Sequence, residues 1–519
     1  MRSFGLITLP ALLLSSMATS AQTLKNAYNF SNFTVQGTAS SMGYGNTLGS
    51  LGGDFSAVSV NPAGLGIYGV SEIAITPSIR LGSANSTYSG TSTTDNNGNF
   101  NINDFSLVFT HKNRGHHRHT KWKAVSFGIG MNRVADFNRS YEYQGNNSTS
   151  SASLAFESDA NLNSAAVNQY SSSLGALGYS SYLLNQNASG QYVSTVPFTQ
   201  GITQMKSLDE SGGINEFVLA LGGNYKNKLM LGITVSMPTI NYQSRSTYTE
   251  SSSDVNATTN PTGFTSFNYN QTENISGLGV NTKIGAIYKF TNFFRIGLAL
   301  HSPTFYSISD LTKTSMYVNN DSTAISSDYN GVYARNSFDY TLMTPWKGVL
   351  SATFTLKKLG FITADYEYVD YSTMRYGFGG GIDQATGNSF QSEQDAVNQT
   401  IQKSFQGVSN FRIGAGFNVT KFFILRAGAG YYGNAYTAYG EANNLSYTTQ
   451  RIDLNAGLGF HFKHFFTDLG FVHSMYQGIE QPYSIDYSGV VSTTTTAAIP
   501  KATTNYSINN MALTMGFRF

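Results

Sequence analysis

The chain has no cysteine, and only 12% of its 519 residues are charged. The first absence excludes a disulfide scaffold, a thiol nucleophile, a Cys-ligated metal site and a lipid-anchored N-terminal Cys. Globular chains carry about 25% charged residues, so this one has about half the usual share. Its net charge of +2 gives no support for a nucleic-acid partner. Proline is scarce at 10 residues. Beyond the N-terminus, no window reaches the roughly 18 uninterrupted apolar residues of a membrane helix. If the chain enters a membrane, it does so as a barrel. Aromatics and glycine are abundant: Tyr 33, Phe 35 and Gly 52. So many aromatics exclude a disordered chain, although mean hydropathy is −0.20.

Residues 1–21 read as a secretory signal. Arg2 is the positive residue, Leu6 to Leu14 is the apolar stretch, and Thr19-Ser20-Ala21 offers a cleavage site. At the other end Met511, Leu513, Met515, Phe517 and Phe519 alternate with Ala512, Thr514, Gly516 and Arg518. An alternating last strand closed by Phe resembles the sorting signal of bacterial outer-membrane barrels.

The same period of two recurs along the chain. Val125, Phe127, Ile129 and Met131 oppose Ser126, Gly128, Gly130 and Asn132, and Phe411, Ile413, Ala415 and Phe417 oppose Arg412, Gly414, Gly416 and Asn418. A sandwich also alternates, but its second face is rarely so rich in Gly. Small residues facing a lumen leave room for something else to occupy it. Alternation places strands at 72–82, 103–111, 122–133, 214–225, 229–242, 274–290, 293–306, 346–357, 360–371, 407–418, 421–433, 449–461, 464–476 and 506–519. Fourteen is an even number, as single-chain bacterial barrels require.

The connections after the even strands are short, such as 226–228, 358–359 and 462–463. Those after the odd strands are expected to be long outer loops, among them 83–102, 134–213, 307–345 and 372–406. Helical spacing of Leu162, Ala166, Tyr170 and Leu174 suggests a helix near 160–185, and 391–403 is a second candidate. Residues 22–71 do not alternate, yet they carry Leu51, Phe55, Val58, Val60, Leu65 and Ile67. They read as a folded piece in or under the lumen. The expected organisation is therefore all-β: signal peptide 1–21, N-terminal hatch (plug) 22–71, and a fourteen-stranded antiparallel transmembrane β-barrel over 72–519.

The run Gly53-Asp-Phe-Ser-Ala-Val-Ser-Val-Asn61-Pro62-Ala63-Gly64-Leu65 resembles the Asn-Pro-Ala hatch motif of the FadL-type outer-membrane transporters. Gly297-Leu-Ala-Leu-His-Ser302-Pro303-Thr304-Phe305 is similar to the family's strand-end Ser-Pro-Thr stretch. Ala364–Tyr371 and Leu425–Tyr431 are similar to later family strands. The resemblance runs over essentially the whole mature chain. It implies a monomeric barrel in the bacterial outer membrane that passively imports long-chain fatty acids or other hydrophobic compounds, without a cofactor. It also implies a lateral opening at a kink in strand 3, beside the hatch. That maps onto Asn61, Pro62 and Ala63 against roughly 122–133, where Gly128 and Gly130 would tolerate a kink.

Candidate ligand contacts are Phe264 and Phe267 on an outer loop, with Phe305 and Tyr306 at the rim of strand 7. For any single one of them, a place in an aromatic girdle or in loop packing is the commoner role. Arg295, Arg412, Arg426 and Arg451 face inward. They could read a ligand carboxylate or form lumen ion pairs with Asp365, Glu367, Asp453 and Asp468 that anchor the hatch. His111, His116, His117 and His119 sit in or beside the basic turn 112–121, a surface for lipid phosphate more than for a metal. His301-Ser302 and His473-Ser474 are adjacent on strands and point to opposite faces, so neither makes a hydrolase dyad alone. No catalytic residue or metal is expected. Two further readings remain: a non-selective porin or gated channel, and a surface adhesin or receptor barrel.

Overall fold

The structure, a computed structural model, describes residues 24–519 apart from 114–119, 164–166, 168–172, 321–322, 328–336, 381–388, 445 and 494–495. The expected signal 1–21 and His116, His117 and His119 lie outside the described residues, as do Ala166 and Tyr170.

The alternating segments form fourteen antiparallel staves. They are β1 Glu72–Tyr88, β2 Thr91–Lys112, β3 Trp122–Asp136 continued by Arg139–Asn147, β4 Ile202–Tyr225, β5 Leu229–Ser251, β6 Phe264–Lys289, β7 Phe294–His301 continued by Phe305–Asn320, β8 Ser337–Met343 continued by Lys347–Thr355, β9 Gly360–Asp370 continued by Arg375–Phe378, β10 Gly407–Asn418, β11 Phe423–Tyr432, β12 Ser446–His461, β13 Phe465–Glu480 and β14 Ala502–Arg518. Each pairs with the next. β14 returns to β1, from Glu72↔Arg518 to Thr87↔Thr503, so the sheet closes on itself. Closure removes the unpaired edges that a lipid environment would penalise.

Two residues per repeat put one set of side chains outside and the other inside. Val125, Phe127 and Ile129 of β3 and Phe411, Ile413 and Phe417 of β10 are exposed, whereas Ser126, Asn132 and Arg412 are buried. Apolar side chains thus cover the exterior of the barrel wall. No helix among the described residues is long and apolar enough to cross a membrane.

The staves are longer than the alternation suggests. Segment 83–102, expected as a long outer loop, is instead the paired upper half of β1 and β2. It turns at Ser89-Gly90, both left-handed (φ 46° and 83°), a geometry suited to a two-residue hairpin. β4 begins at Ile202 rather than 214, and β5 runs to Ser251 rather than 242. These extensions are rich in Ser, Thr, Asn and charged residues, and their few apolar residues, such as Ile202, Leu208 and Tyr248, do not alternate densely enough to betray a strand. Ser302-Pro303-Thr304 does not end a strand. β7 continues beyond it on the same partner, passing from His301↔Lys283 to Phe305↔Val280 with an extra residue. Pro303 is tolerated there because a bulge needs no ladder N–H.

Helices Ser153–Leu162 and Leu174–Ser180 fold within 134–213 at the two ends of the expected helix near 160–185, whose middle lies outside the described residues, and Phe390–Ser404 covers the second expected helix. The first pair packs with Phe198, Tyr248, Phe264, Phe267, Met316 and Val318 into an apolar cluster on the outer ends of β4 to β7.

Candidate functional site

The interior of the barrel holds residues 24–71. This segment begins as a helix over 24–29, then forms a short helix Ala39–Gly43 and two 3₁₀ turns, Phe55–Ser59 and Pro62–Ile67. Each of the last three is capped by a side-chain oxygen, from Thr38, Asp54 and Asn61 respectively, which satisfies N–H groups that the turn leaves open. Burial pushes the Asp54 carboxyl above its ordinary range, against the pull of its bonds from Thr38 and Ser56.

Inward glycines let this backbone reach the wall. A Cβ at Gly232 would overlap Pro62 and Ala63, one at Gly285 would overlap Asn61, one at Gly297 would overlap Gly49, and one at Gly414 would overlap Tyr44. Polar side chains on the wall supply the hydrogen bonds. Asp365 accepts from Gly49 N at 3.1 Å and Thr514 from Ala39 N at 2.8 Å. Ser59 donates to Glu216 at 2.6 Å, and His301 Nε2 lies 2.8 Å from Val60 O. Ser50 Oγ lies 2.9 Å from Ser351 Oγ.

Asn61, Pro62 and Ala63 lie elsewhere than expected. Asn61 donates to Gly49 O at 2.6 Å, lies 3.3 and 3.4 Å from the carbonyls of Ala286 and Leu298, and accepts from Ala63 N at 3.1 Å. The motif therefore packs on β5, β6 and β7, not on 122–133. The inward face of β3 at Gly128 and Gly130 is covered by Phe55, with Leu65 beside Gly128. Neither glycine marks a kink, because β3 is paired without interruption to β2 from Asn132 to Ala124.

The interruption falls farther along. The β2–β3 ladder stops at Asp104↔Asn132. Among the described residues no ladder joins 91–103 of β2 to 133–147 of β3, although β3 stays paired to β4. Side chains bridge this seam instead. Asp136 receives Asn101 Nδ2 at 2.7 Å, and Arg80 and Arg133 each lie 3.1 Å from it. The N–H groups of Thr34 and Gln36 donate to the carbonyls of Val134 and Arg133 at 2.8 and 2.9 Å. Phe100, 67% exposed, and Ile102 flank Asn101 on the outer face of β2, so the seam borders the apolar exterior.

A cavity of about 210 Å³ lies in the lumen against this seam. Its walls include Tyr28, Tyr371, Tyr432, Arg80, Asp136 and Arg451. An apolar cluster adjoins it, in which Leu24, Ala27 and Phe30 pack against Ile214, Tyr242, Tyr306, Ile308 and Leu342. Residues 24–30 thus sit in an apolar part of the interior.

The expected ligand contacts do not converge. Tyr306 is 1% exposed and belongs to that inner cluster, whereas Phe305 is 58% exposed on the outer wall. The bulge at 302–304 shifts the alternation and turns Phe305 outward. Phe264 and Phe267 are fully buried in the outer cluster.

Three of the four expected arginines are paired. Arg412 lies 3.3 Å from Glu367, Arg426 2.6 Å from Asp468 and Arg451 3.1 Å from Asp453. Arg451 also donates to Thr34 Oγ1 at 3.2 Å and stacks 3.9 Å from the Tyr432 ring centre. Arg295 has no carboxylate partner among the described residues. The two Ser–His pairs are engaged elsewhere: Ser302 donates to Pro303 O, and His473 bonds Asn509. Arg80, Asp136, Tyr28 and Phe30 were not picked out from sequence. Arg80 and Asp136 sit where strands pass into polar extensions, and Tyr28 and Phe30 lie in a segment without periodicity.

A closed fourteen-stranded barrel with an apolar exterior is a multi-pass protein of the outer membrane. Its fold is that of the FadL-type barrels. It is similar to the crystal structure of a Pseudomonas aeruginosa FadL homologue, with TM-score 0.52 and 11% identity over 94% of this chain and 100% of that one. It is also similar to the Pseudomonas putida toluene transporter TodX, with TM-score 0.50 and 13% identity over 94% of this chain and 100% of that one. No family model and no curated protein matches the chain.

Proposed function

We propose that the protein passively imports hydrophobic compounds across the outer membrane, with long-chain fatty acids and aromatic hydrocarbons as the two cargo classes to test first. The observation that carries this reading is the seam. Between β2 and β3 the wall is closed by side chains at the level of the apolar exterior, directly beside the lumen cavity. Segment 24–71 acts as a hatch that blocks the straight path, with Asn61, Pro62 and Ala63 fixing it to β5, β6 and β7. Cargo entering from outside would displace Leu24, Ala27 and Phe30, rest against Tyr306 and the cavity, and leave sideways through the Asp136 seam. An apolar chain gains about 0.8 kcal/mol per CH₂ in an apolar site, so a lateral exit avoids returning it to water. Named relatives in fold include a toluene transporter, which supports a hydrophobic cargo.

A steady open porin is the weaker reading, because the hatch fills the lumen. An adhesin would need neither a lumen cavity nor a seam. The test is uptake of labelled oleate and toluene by a deletion strain and its complemented parent. Equal uptake of both compounds by the two strains would remove the importer reading.

A further inference from the structure

The short turns at the end of the barrel where β1 starts and β14 stops carry a charge pattern that the transport reading does not use. Five of them, within 226–228, 289–294, 356–360, 419–422 and 462–465, contain no Asp or Glu, nor do the described residues 112–113 and 120–123 of the sixth. All 29 acidic residues of the chain lie elsewhere. Every turn contains lysine. Lys226, Lys228, Lys357, Lys358, Lys421 and Lys463 are exposed, and none forms an ion pair with a described carboxylate. The barrel's carboxylates are engaged inside, as at Glu367, Asp468 and Glu216. Because the whole chain is only +2, the rest of the molecule is net negative and this end is strongly positive.

Four of these turns also extend the apolar exterior. Phe290 and Phe293, Leu356 and Leu359, Val419 and Phe422, and Phe462 and Phe465 are exposed beside the lysines. Aromatic and aliphatic groups below a ring of long cationic side chains are what a membrane interface selects, the stems lying along apolar surface and the ammonium groups reaching the headgroups. Lysine is present on every turn around the circumference, so the charge forms a ring and not a patch. It therefore matches a planar sheet of charge and not one protein epitope. Short turns lie on the periplasmic side of such barrels, where the leaflet is phospholipid.

We infer that the turns form a basic–aromatic ring that binds anionic phospholipid headgroups of the inner leaflet and selects them over zwitterionic ones. Each basic residue near an anionic surface strengthens the attraction about fivefold, so the exposed lysines dominate the preference.

The test uses the full-length protein in mild detergent, incubated with equal amounts of phosphatidylglycerol and phosphatidylcholine. Lipid retained through gel filtration is quantified by mass spectrometry. The unmodified protein should retain several times more phosphatidylglycerol. About 0.5 M salt, which shortens screening to a few ångströms, should bring the ratio towards one. K226Q/K228Q/K357Q/K358Q/K421Q/K463Q should lower the ratio severalfold, Lys112 and Lys121 holding what remains, while keeping its heat-modifiable gel shift. K313Q/K403Q/K501Q, which removes exposed lysines of the outer half, should leave the ratio unchanged. Equal retention by the unmodified protein overturns the inference, including the case in which the ring instead engages an acidic protein. A preference indifferent to both the six substitutions and salt overturns it as well. If the sixfold variant does not fold, the salt response of the unmodified protein decides.

Discussion

Replacing Asn61 by leucine removes the contact that fixes the lumen segment most centrally. The amide is fully buried and joins four points: it donates to Gly49 O at 2.6 Å, caps Ala63 N at 3.1 Å, and lies 3.3 and 3.4 Å from the carbonyls of Ala286 and Leu298. Leucine is close in size but cannot pair with any of them. A buried polar group stripped of its partner costs about 1–3 kcal/mol. Losing the two shorter bonds therefore weakens the seated segment by about 2–6 kcal/mol. That raises the unseated population from about 30-fold to about 10⁴-fold, at a tenfold change per 1.4 kcal/mol. The barrel ladder is untouched, so the variant should keep its heat-modifiable gel shift. In planar bilayers the parent should stay closed and Asn61→Leu should show flickering ionic conductance. Asn61→Asp, which keeps the cap on Ala63 N but loses the donor, should fall between them. A folded Asn61→Leu protein that conducts no more than the parent would refute the idea that this residue holds the lumen shut.

Three further outcomes are expected. Gly285→Val should unseat the same turn, since overpacking costs about 1–3 kcal/mol, whereas Gly379→Val, where a Cβ meets nothing within 4 Å, should be silent. Protease cleavage within 37–66 reads the difference, and equal protection of the two variants counts against the close fit. Asp136→Ala leaves Arg80, Arg133 and Asn101 without their shared acceptor, so amide exchange over 133–142 should quicken about tenfold or more while the rest of β3 is unchanged. Uniform exchange along β3 would show that the seam is no weaker than the ladder. Phe267→Ala should loosen the outer cluster by about 3–5 kcal/mol, seen as earlier proteolysis of 148–201 with transport-independent barrel stability preserved. Unaltered proteolysis would mean that Phe267 is not part of that cluster's core.

Much of the barrel was legible because lipid imposes a period of two. Val125, Phe127 and Ile129 had to be apolar and Ser126 and Gly128 small, so β3 could be read from sequence alone. Where the same staves leave the lipid, that rule lapses. The upper β1–β2 hairpin is paired throughout but made of Ser, Thr and Asn, and it reads as a loop. Glycines facing inward signalled that something fills the lumen. They did not say which turn meets which stave, because Asn61 reaches Ala286 and Leu298 across more than two hundred residues. Phe305 was misplaced for a local reason: one extra residue at Ser302-Pro303-Thr304 reverses which side chains face out. The seam was the least legible feature. Its position depends on where a ladder stops, and Asp136 gathers partners from β1, β2 and β3 that no spacing rule brings together.

Lateral exit requires that the lumen segment around Ser50 stay in place while only its first turn, with Leu24, Ala27 and Phe30, gives way to cargo that leaves sideways. The chain has no native cysteine, and Ser50 Oγ and Ser351 Oγ lie 2.9 Å apart, so Ser50→Cys with Ser351→Cys places two thiols face to face for a disulfide between the segment and β8. Uptake of labelled oleate and toluene should be measured in cells carrying this variant, oxidised and then reduced. Lateral exit predicts that oxidation leaves the uptake rate unchanged. Uptake lost on oxidation and restored on reduction would mean that cargo passes through the space the segment fills, and would contradict the account.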